Sequence, residues 1–339
     1  MIEHDPQRPR YHFTGVESWI NDPNGPIYWN GVYHLFYQYD PMVRDDFGDW
    51  ARSKRCWGHA VSGDLVHWRD WPVAIWPDSD WDREGVYSGN VVIDGDGVPT
   101  AVYTGYMGGR RSFGMTARSY DGMLTWDKRM VMSEPPFEGA MPHWDGFVWK
   151  EEGEWFQLTG GSLWQGNPVG VLWSSPDLEQ WRFRSRVFNP VREDGKPNEL
   201  PYLVRVDGVD VYLEGWGGLA TMRNPCWMGR FDREELTFRP DHDRPINLDP
   251  GLYYSFNANM TDDRGPNRSH RRLLHGWVTM PTSPAIKRYS VLAERAHDSP
   301  RAVGVRRRAL AGADPGNRAP ATSPQKLAGT GRRRARDTR

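Results

Sequence analysis

Apolar and polar positions alternate with a period of two over five stretches of the chain. They are YWNGVYHLFYQY (28–39), VPTAVYTGY (98–106), EWFQLTGGS (154–162), VDVYLEGWG (209–217) and RLLHGWV (272–278). That period places one face of each stretch in a core and predicts a strand. No long segment with a period near 3.6 interrupts them, so little helix is expected. A second pattern recurs between the strands: SGDLVHW (62–68), SYDGMLTW (119–126), SSPDLEQW (174–181) and FDREELTF (231–238). Each places an acid in a turn and closes on an aromatic residue, as two outer strands joined by an Asp-containing turn would. The closing residues Trp68, Trp126, Trp181 and Phe238 stand 58, 55 and 57 positions apart.

A third series keeps the same step. Asp22, Ser88, Asp145, Glu199 and Tyr254 fall at the starts of short strands, separated by 66, 57, 54 and 55 positions. A fixed period of this length marks a repeat architecture. Units of four strands arranged radially make a β-propeller, which hides nearly all its strand edges; a solenoid would need capping repeats, and none is visible. The expectation is therefore an all-β, five-bladed β-propeller over residues 1–290. In such a ring the first strand of each unit lines the central channel. The third series then becomes a ring of channel-facing side chains, three of them carboxylates, and crowded like charges point to a site that uses them.

Composition narrows the partners. The formal net charge is −1, which favours neither nucleic acid nor an acidic partner. The segment from Arg301 to Arg339 holds ten Arg and one Lys against two Asp, so the rest of the chain is acidic. Residues 291–339 are Arg-, Ala-, Gly- and Pro-rich and are expected to be a disordered tail, of the kind a shifted reading frame in GC-rich DNA would encode. The fifth unit is accordingly expected to lack outer strands. The two cysteines, Cys56 and Cys226, suit small buried residues better than a disulfide framework or a CxxC metal pair. MIEHDPQRPRYHF has no apolar core of a secretion signal, and no run of 18 apolar residues occurs. A cytoplasmic protein with no membrane partner is expected. The 18 Trp, 14 Tyr and 12 Phe suit a carbohydrate ligand, because flat rings stack on sugar C–H faces, although most of them must be core.

The motif with most chemical content is Trp19-Ile20-Asn21-Asp22-Pro23-Asn24-Gly25-Pro26. Pro and Gly after Asp22 force a tight turn and present its carboxylate at a strand entrance. HLFYQYDP (34–41), WGHAVSGDLVHW (57–68), VYSGN (86–90) and YTG (103–105) follow in order. With these motifs the sequence resembles glycoside hydrolase family 32, the invertases, levanases and inulinases, over roughly residues 10–280.

The resemblance implies a retaining hydrolase of β-fructofuranosidic bonds of the sucrose, levan or inulin type. It implies Asp22 as nucleophile, Glu199 (in Asn198-Glu199-Leu200-Pro201) as acid/base and Asp145 (in His143-Trp144-Asp145-Gly146) as transition-state stabiliser. It also implies substrate contacts from Asn21, Gln38, Tyr87, Ser88 and Trp144, an aromatic wall from Trp50 and Trp277, and an orienting role for Tyr254. No cofactor or metal is implied. The family's C-terminal β-sandwich is expected to be absent. Elementary chemistry asks for the same groups. Opening a ketosidic bond needs one ionised carboxylate at the anomeric carbon and one protonated carboxyl at the leaving oxygen, about 5–5.5 Å apart in a retaining pair. Glu199 would then need a raised pKa.

Two departures bear on the substrate. Trp144 stands where the family has an arginine that contacts sugar hydroxyls, exchanging five donors for one; His143 beside it is a second source of a donor. Leu200 replaces a cysteine. Three other functions remain open on these residues: an arabinan- or xylan-directed hydrolase, a sugar-binding propeller without turnover, and fructosyl transfer. Oligomeric state is left open as well.

Overall fold

The computed structural model describes residues 12–15, 18–42, 53–109, 111–192, 195–215, 224–248, 254–262, 272–279 and 290–296. Trp50 and the Arg-rich segment from 301 onward lie outside them, as does the side chain of Tyr254. The described residues contain strands and turns and no helix.

A short N-terminal strand, β1 (Phe13–Thr14), comes first. Four sheets of consecutive strands follow. The first runs β2 (Trp19–Trp29), β3 (Val32–Asp40), β4 (Cys56–Ser62), β5 (Trp68–Ile75). The second runs β6 (Gly85–Ile93), β7 (Pro99–Tyr106), β8 (Ser112–Arg118), β9 (Asp127–Met132). The third runs β10 (Phe147–Glu151), β11 (Glu154–Trp164), β12 (Asn167–Ser175), β13 (Arg182–Phe188). The fourth runs β14 (Glu199–Val206), β15 (Val209–Gly215), β16 (Pro225–Asp232), β17 (Thr237–Pro240), with β18 (Ile246–Asn247) added beside β16. A further four-stranded sheet takes β19 (Tyr254–Asp262), β20 (Arg272–Thr279) and β21 (Ser290–Ala296) and adds β1 at its edge. All pairings are antiparallel. The first strand of each sheet contacts that of the next, and β19 returns to β2. This is an all-β propeller.

The sequence repeat has a local physical cause. In each of the first four sheets the third and fourth strands join through a turn whose carboxylate caps the backbone. Asp64, Asp121, Asp177 and Asp232 each accept two N–H groups two to four residues ahead, among them those of His67, Thr125, Gln180 and Glu235. Each turn also holds one left-handed residue other than glycine: Leu65 (φ 67°), Met123 (φ 71°), Leu178 (φ 67°) and Leu236 (φ 55°). Met123 and Leu178 are fully buried there, so packing offsets the strain of that backbone region.

The core lies between faces of neighbouring sheets. Phe36 and Trp57 pack on Val91, Tyr103 and Met115 across the first and second sheets. Leu158 and Leu172 meet Tyr212, Trp227 and Phe238 across the third and fourth. Phe13 of β1 joins Ile20, Leu35, Tyr37 and Ala60. Both cysteines are buried free thiols, and burial pushes that of Cys226 up to about 12.

Two expectations change. The last sheet is not short of outer strands: β21 pairs along β20 from Leu273↔Ala296 to Thr279↔Ser290, and β1 covers β21. The sequence concealed this because the covering strand comes from the other end of the chain. β21 also runs past the boundary expected at 290.

The first strands carry an irregularity near their entrances. Register shifts fall between Ile20 and Pro23 in β2, Tyr87 and Gly89 in β6, Glu199 and Tyr202 in β14, and Ser255 and Ala258 in β19. Gly89 shows what such a bulge demands. A methyl there would overlap the Val102 carbonyl oxygen and stand 2.6 Å from the Tyr103 Cα. Both are strand backbone and cannot yield. Gly89→Ala is therefore expected to cost about 2–4 kcal/mol of unfolding free energy, read by urea denaturation; a loss under about 0.5 kcal/mol would show that the bulge is not that tight.

Candidate active site

Bulges re-aim side chains, and here they turn polar residues from successive first strands toward one end of the central channel. Asp22 sits in the β2 bulge and is 5 % exposed. The Ser88 hydroxyl, from the β6 bulge, donates to Asp22 Oδ2 at 2.6 Å, and the Gln38 amide donates to Ser88 Oγ at 3.2 Å. Asn21 Oδ1 and Gln38 Oε1 are buried beside this chain with no hydrogen-bond partner among the described residues.

Asp145 lies two residues before β10, at φ 51°, and is buried. The Thr104 hydroxyl accepts its backbone N–H at 3.0 Å. That hydroxyl also lies 2.8 Å from His143 Nδ1, and His143 Nε2 lies 2.5 Å from the Gln157 amide group. Burial pushes His143 down to about 3, so the ring is neutral and has one donor and one acceptor. In the neutral ring the Gln157 amide nitrogen donates to Nε2, which leaves Nδ1–H to donate to the Thr104 hydroxyl oxygen. Gly146 allows this closeness, since a Cβ there would collide with both Gln157 and His143. Both ring nitrogens of His143 are thereby committed. The ring holds the Asp145 turn and does not supply the sugar donor considered from the sequence.

The carboxyl group of Asp145 is pushed well above its usual range. Burial is the largest cause, followed by the negative charges of Glu199 and then Asp22; a hydrogen bond from the Leu200 N–H opposes them. Residues far apart in sequence thus meet in one pocket. Tyr202 feels the same site: burial raises its phenol well above the ordinary value, and the charges of Asp145 and Asp22 add to that. Glu199 is half-buried at the start of β14, and Leu200 behind it takes a left-handed backbone (φ 44°). Asn198, just before it, donates to Glu214 at 2.8 Å, and the Tyr212 hydroxyl donates to the same oxygen at 2.8 Å.

Aromatic residues form one wall. Tyr87 stacks on Tyr106 with centroids 4.7 Å apart, and Trp144 meets Tyr87 edge-on at 5.5 Å. The Arg55 guanidinium stands 4.9 Å over the Tyr87 ring and 5.2 Å over Trp19. This brings a guanidinium beside the wall although position 144 is tryptophan. Trp277 is placed differently from the expected wall. It packs against the Phe13, Ile20 and Leu35 cluster between sheets, because the β20 register fits it into that core. Tyr254 opens β19 opposite Val278, so its backbone is at the expected level.

Sequence reasoning singled out neither Thr104 nor Gln157, nor Arg55, Tyr106 or Glu214. Thr104 lies inside the YTG motif, which was a signal without a role attached. Among the described residues no group of three His, Cys, Asp or Glu is arranged to hold a metal ion.

Fold and site together define a propeller carrying a buried cluster of interacting carboxylates at one end of its channel. Residues 12–307 match the glycosyl hydrolases family 32 N-terminal domain, and the chain belongs to that family. A sucrose-6-phosphate hydrolase of Bacillus subtilis is 31 % identical over 295 residues, 82 % of this chain and 58 % of that protein. The sucrose-6-phosphate hydrolase structure from Lactobacillus gasseri superposes with a TM-score of 0.72 at 26 % identity, covering 88 % of this chain and 64 % of that one. Fructan 1-exohydrolase IIa from Cichorium intybus superposes with a TM-score of 0.71 at 26 % identity, covering 86 % and 58 %. The chain thus spans about three-fifths of the length of the curated relatives it matches.

The raised Asp145 carboxyl makes stability depend on pH in a definite sense. The unfolded group titrates near 3.8, and the folded one holds its proton to higher pH. Its contribution is full below the unfolded value and is lost as pH rises toward the folded one. Asp145→Asn is therefore expected to melt higher than the parent at about pH 7 and to match it near about pH 3, by scanning fluorimetry. A lower melting temperature at about pH 7 would refute the electrostatic account.

Proposed function

We propose that this chain is a propeller hydrolase of β-fructofuranosidic bonds, of the sucrose, levan or inulin type, acting by retaining double displacement. The observation that carries this reading is the shared burial and mutual charge interaction of Asp145 with Glu199 and Asp22. In this reading the sheet β1–β21–β20–β19 is the fifth blade of a five-bladed ring, which supports a single closed channel.

The chemistry follows from the three environments. Asp22, oriented by the Ser88 hydroxyl, attacks the anomeric carbon of the fructosyl unit as its bond to the leaving oxygen breaks. Glu199 gives its proton to that oxygen. Water then attacks the fructosyl-enzyme bond; Glu199 takes the proton from the water, and Asp22 leaves as a carboxylate. Asp145 stands where positive charge develops on the sugar ring. The negative charges of Glu199 and Asp22 help raise the Asp145 carboxyl, so three full charges are costly in this cluster and a proton held there is available for delivery to the leaving oxygen. Asn21 Oδ1 and Gln38 Oε1 can accept hydrogen bonds from fructose hydroxyls. The Tyr87, Tyr106 and Trp144 group offers ring faces and edges to the sugar.

The names of the relatives supply the substrate class. A pentose polymer such as arabinan as substrate, or binding without turnover, draws support from one observation: tryptophan at 144 with the His143 donor already committed. Purified protein incubated with sucrose, sucrose 6-phosphate, levan, inulin and arabinan separates these readings. Fructose release is expected, falling at least about 10³-fold in Asp22→Asn and in Glu199→Gln, with Km little changed in the residual activity. Arabinose release, or sugar binding without turnover by the parent chain, would overturn it. In the same assay Thr104→Val is expected to lower kcat about tenfold or more, since the Asp145 N–H loses its acceptor. An unchanged kcat would remove Thr104 from the site.

A further inference from the structure

The central channel has a second end. The same first strands whose entrances carry Asp22, Ser88 and Glu199 continue to Tyr28, Ile93 and Arg205, which line a cavity of about 510 Å³. At about 3.3 Å per residue this end lies roughly 15–20 Å from the carboxylates. Its walls include Val91, Phe147, Trp149 and Trp155. Its rim carries Lys150, Arg205, Arg233 and Arg272 against Glu151 and Asp210, an excess of two positive charges.

The cations come from four separate places in the ring: β10, β14, the turn after β16, and β20. Arg205 and Arg233 flank one carboxylate without closing on it. Their Nη1 atoms stand 3.8 and 3.9 Å from the oxygens of Asp210, which is buried and accepts the Phe231 N–H at 2.9 Å. Glu151 binds Arg233 through Nε at 2.5 Å. The two guanidinium groups keep 54 % and 39 % of their side-chain exposure, so each can accept a further anionic partner. Lys150 stands 5.0 Å over the Trp155 ring, which fixes its charge beside the cavity.

We propose that this far end of the channel binds a small polyanion of the phosphate or phosphate-ester class, at a site separate from the catalytic mouth. The two ends differ in sign. Three carboxylates at the mouth repel such an ion, while the basic rim attracts it. Planar guanidinium forks suit tetrahedral oxyanions better than sugars or cations. The aromatic walls exclude water from one side of the bound ion and strengthen the interaction.

Titration calorimetry with pyrophosphate on the full chain, at fixed ionic strength set with chloride, tests this. Saturable binding is expected for the parent chain and unchanged for Asp22→Asn. The double variant Arg205→Gln, Arg233→Gln is expected to bind at least about tenfold more weakly while still releasing fructose where the parent does. Should that pair not fold, Lys150→Gln, at an exposed position, is expected to weaken binding in the same direction. Absence of saturable binding at millimolar pyrophosphate overturns the proposal. So does loss of binding in Asp22→Asn, which locates the ion at the mouth, or full retention in every rim variant, which locates it on the Arg-rich segment after 301.

Discussion

Negative charges buried together repel, and this molecule keeps them together by cyclic closure. Asp22 and Glu199 belong to different sheets and Asp145 to the turn that enters a third, and each is held by local structure before it meets the others. Asp22 has the Ser88 hydroxyl, Asp145 the Thr104 bracket and the Leu200 N–H, and Glu199 the Asn198 anchor on Glu214. No single element could tolerate the cluster. The apolar faces between sheets supply the opposing free energy, because moving one first strand away from the axis would open the packing on both of its sides.

Much of this was legible in the chain. The Asp-containing turns announced the period because the capping carboxylate and its aromatic neighbour are needed in every unit, whatever else varies. The same count picked out the carboxylates, since Asp22 and Glu199 stand at bulges near the entrances of first strands and Asp145 stands just before the entrance of a third. Other features were hidden for equally physical reasons. β1 is two residues long and pairs with β21 at the other end of the chain, so no local pattern marks it. His143 looked like a free donor because a sequence does not reveal that Thr104 and Gln157 stand on its two nitrogens. Trp277 looked like a wall residue because a tryptophan near a strand start does not disclose which face it takes.

Arg55 shows how chemistry can relocate within a fixed frame. It stands just before β4 and not on a first strand, yet its guanidinium lies over Tyr87 beside the Trp144 ring. A cation can thus reach this wall from a loop other than the one that carries Trp144. Trp144 gives the wall apolar surface, and Arg55 supplies a positive charge beside it.

The pairing of Phe13 with Leu292 ties the beginning of the ring to its end. During synthesis the early sheets can form as they emerge, but Phe13 must wait for nearly the whole ring before its partner strand exists. Until then the Ile20 and Leu35 cluster that Phe13 covers is open to solvent. The final step of assembly is consequently a long-range closure, slow by its topology. The waiting intermediate offers a bare strand edge and an apolar face to any neighbouring chain.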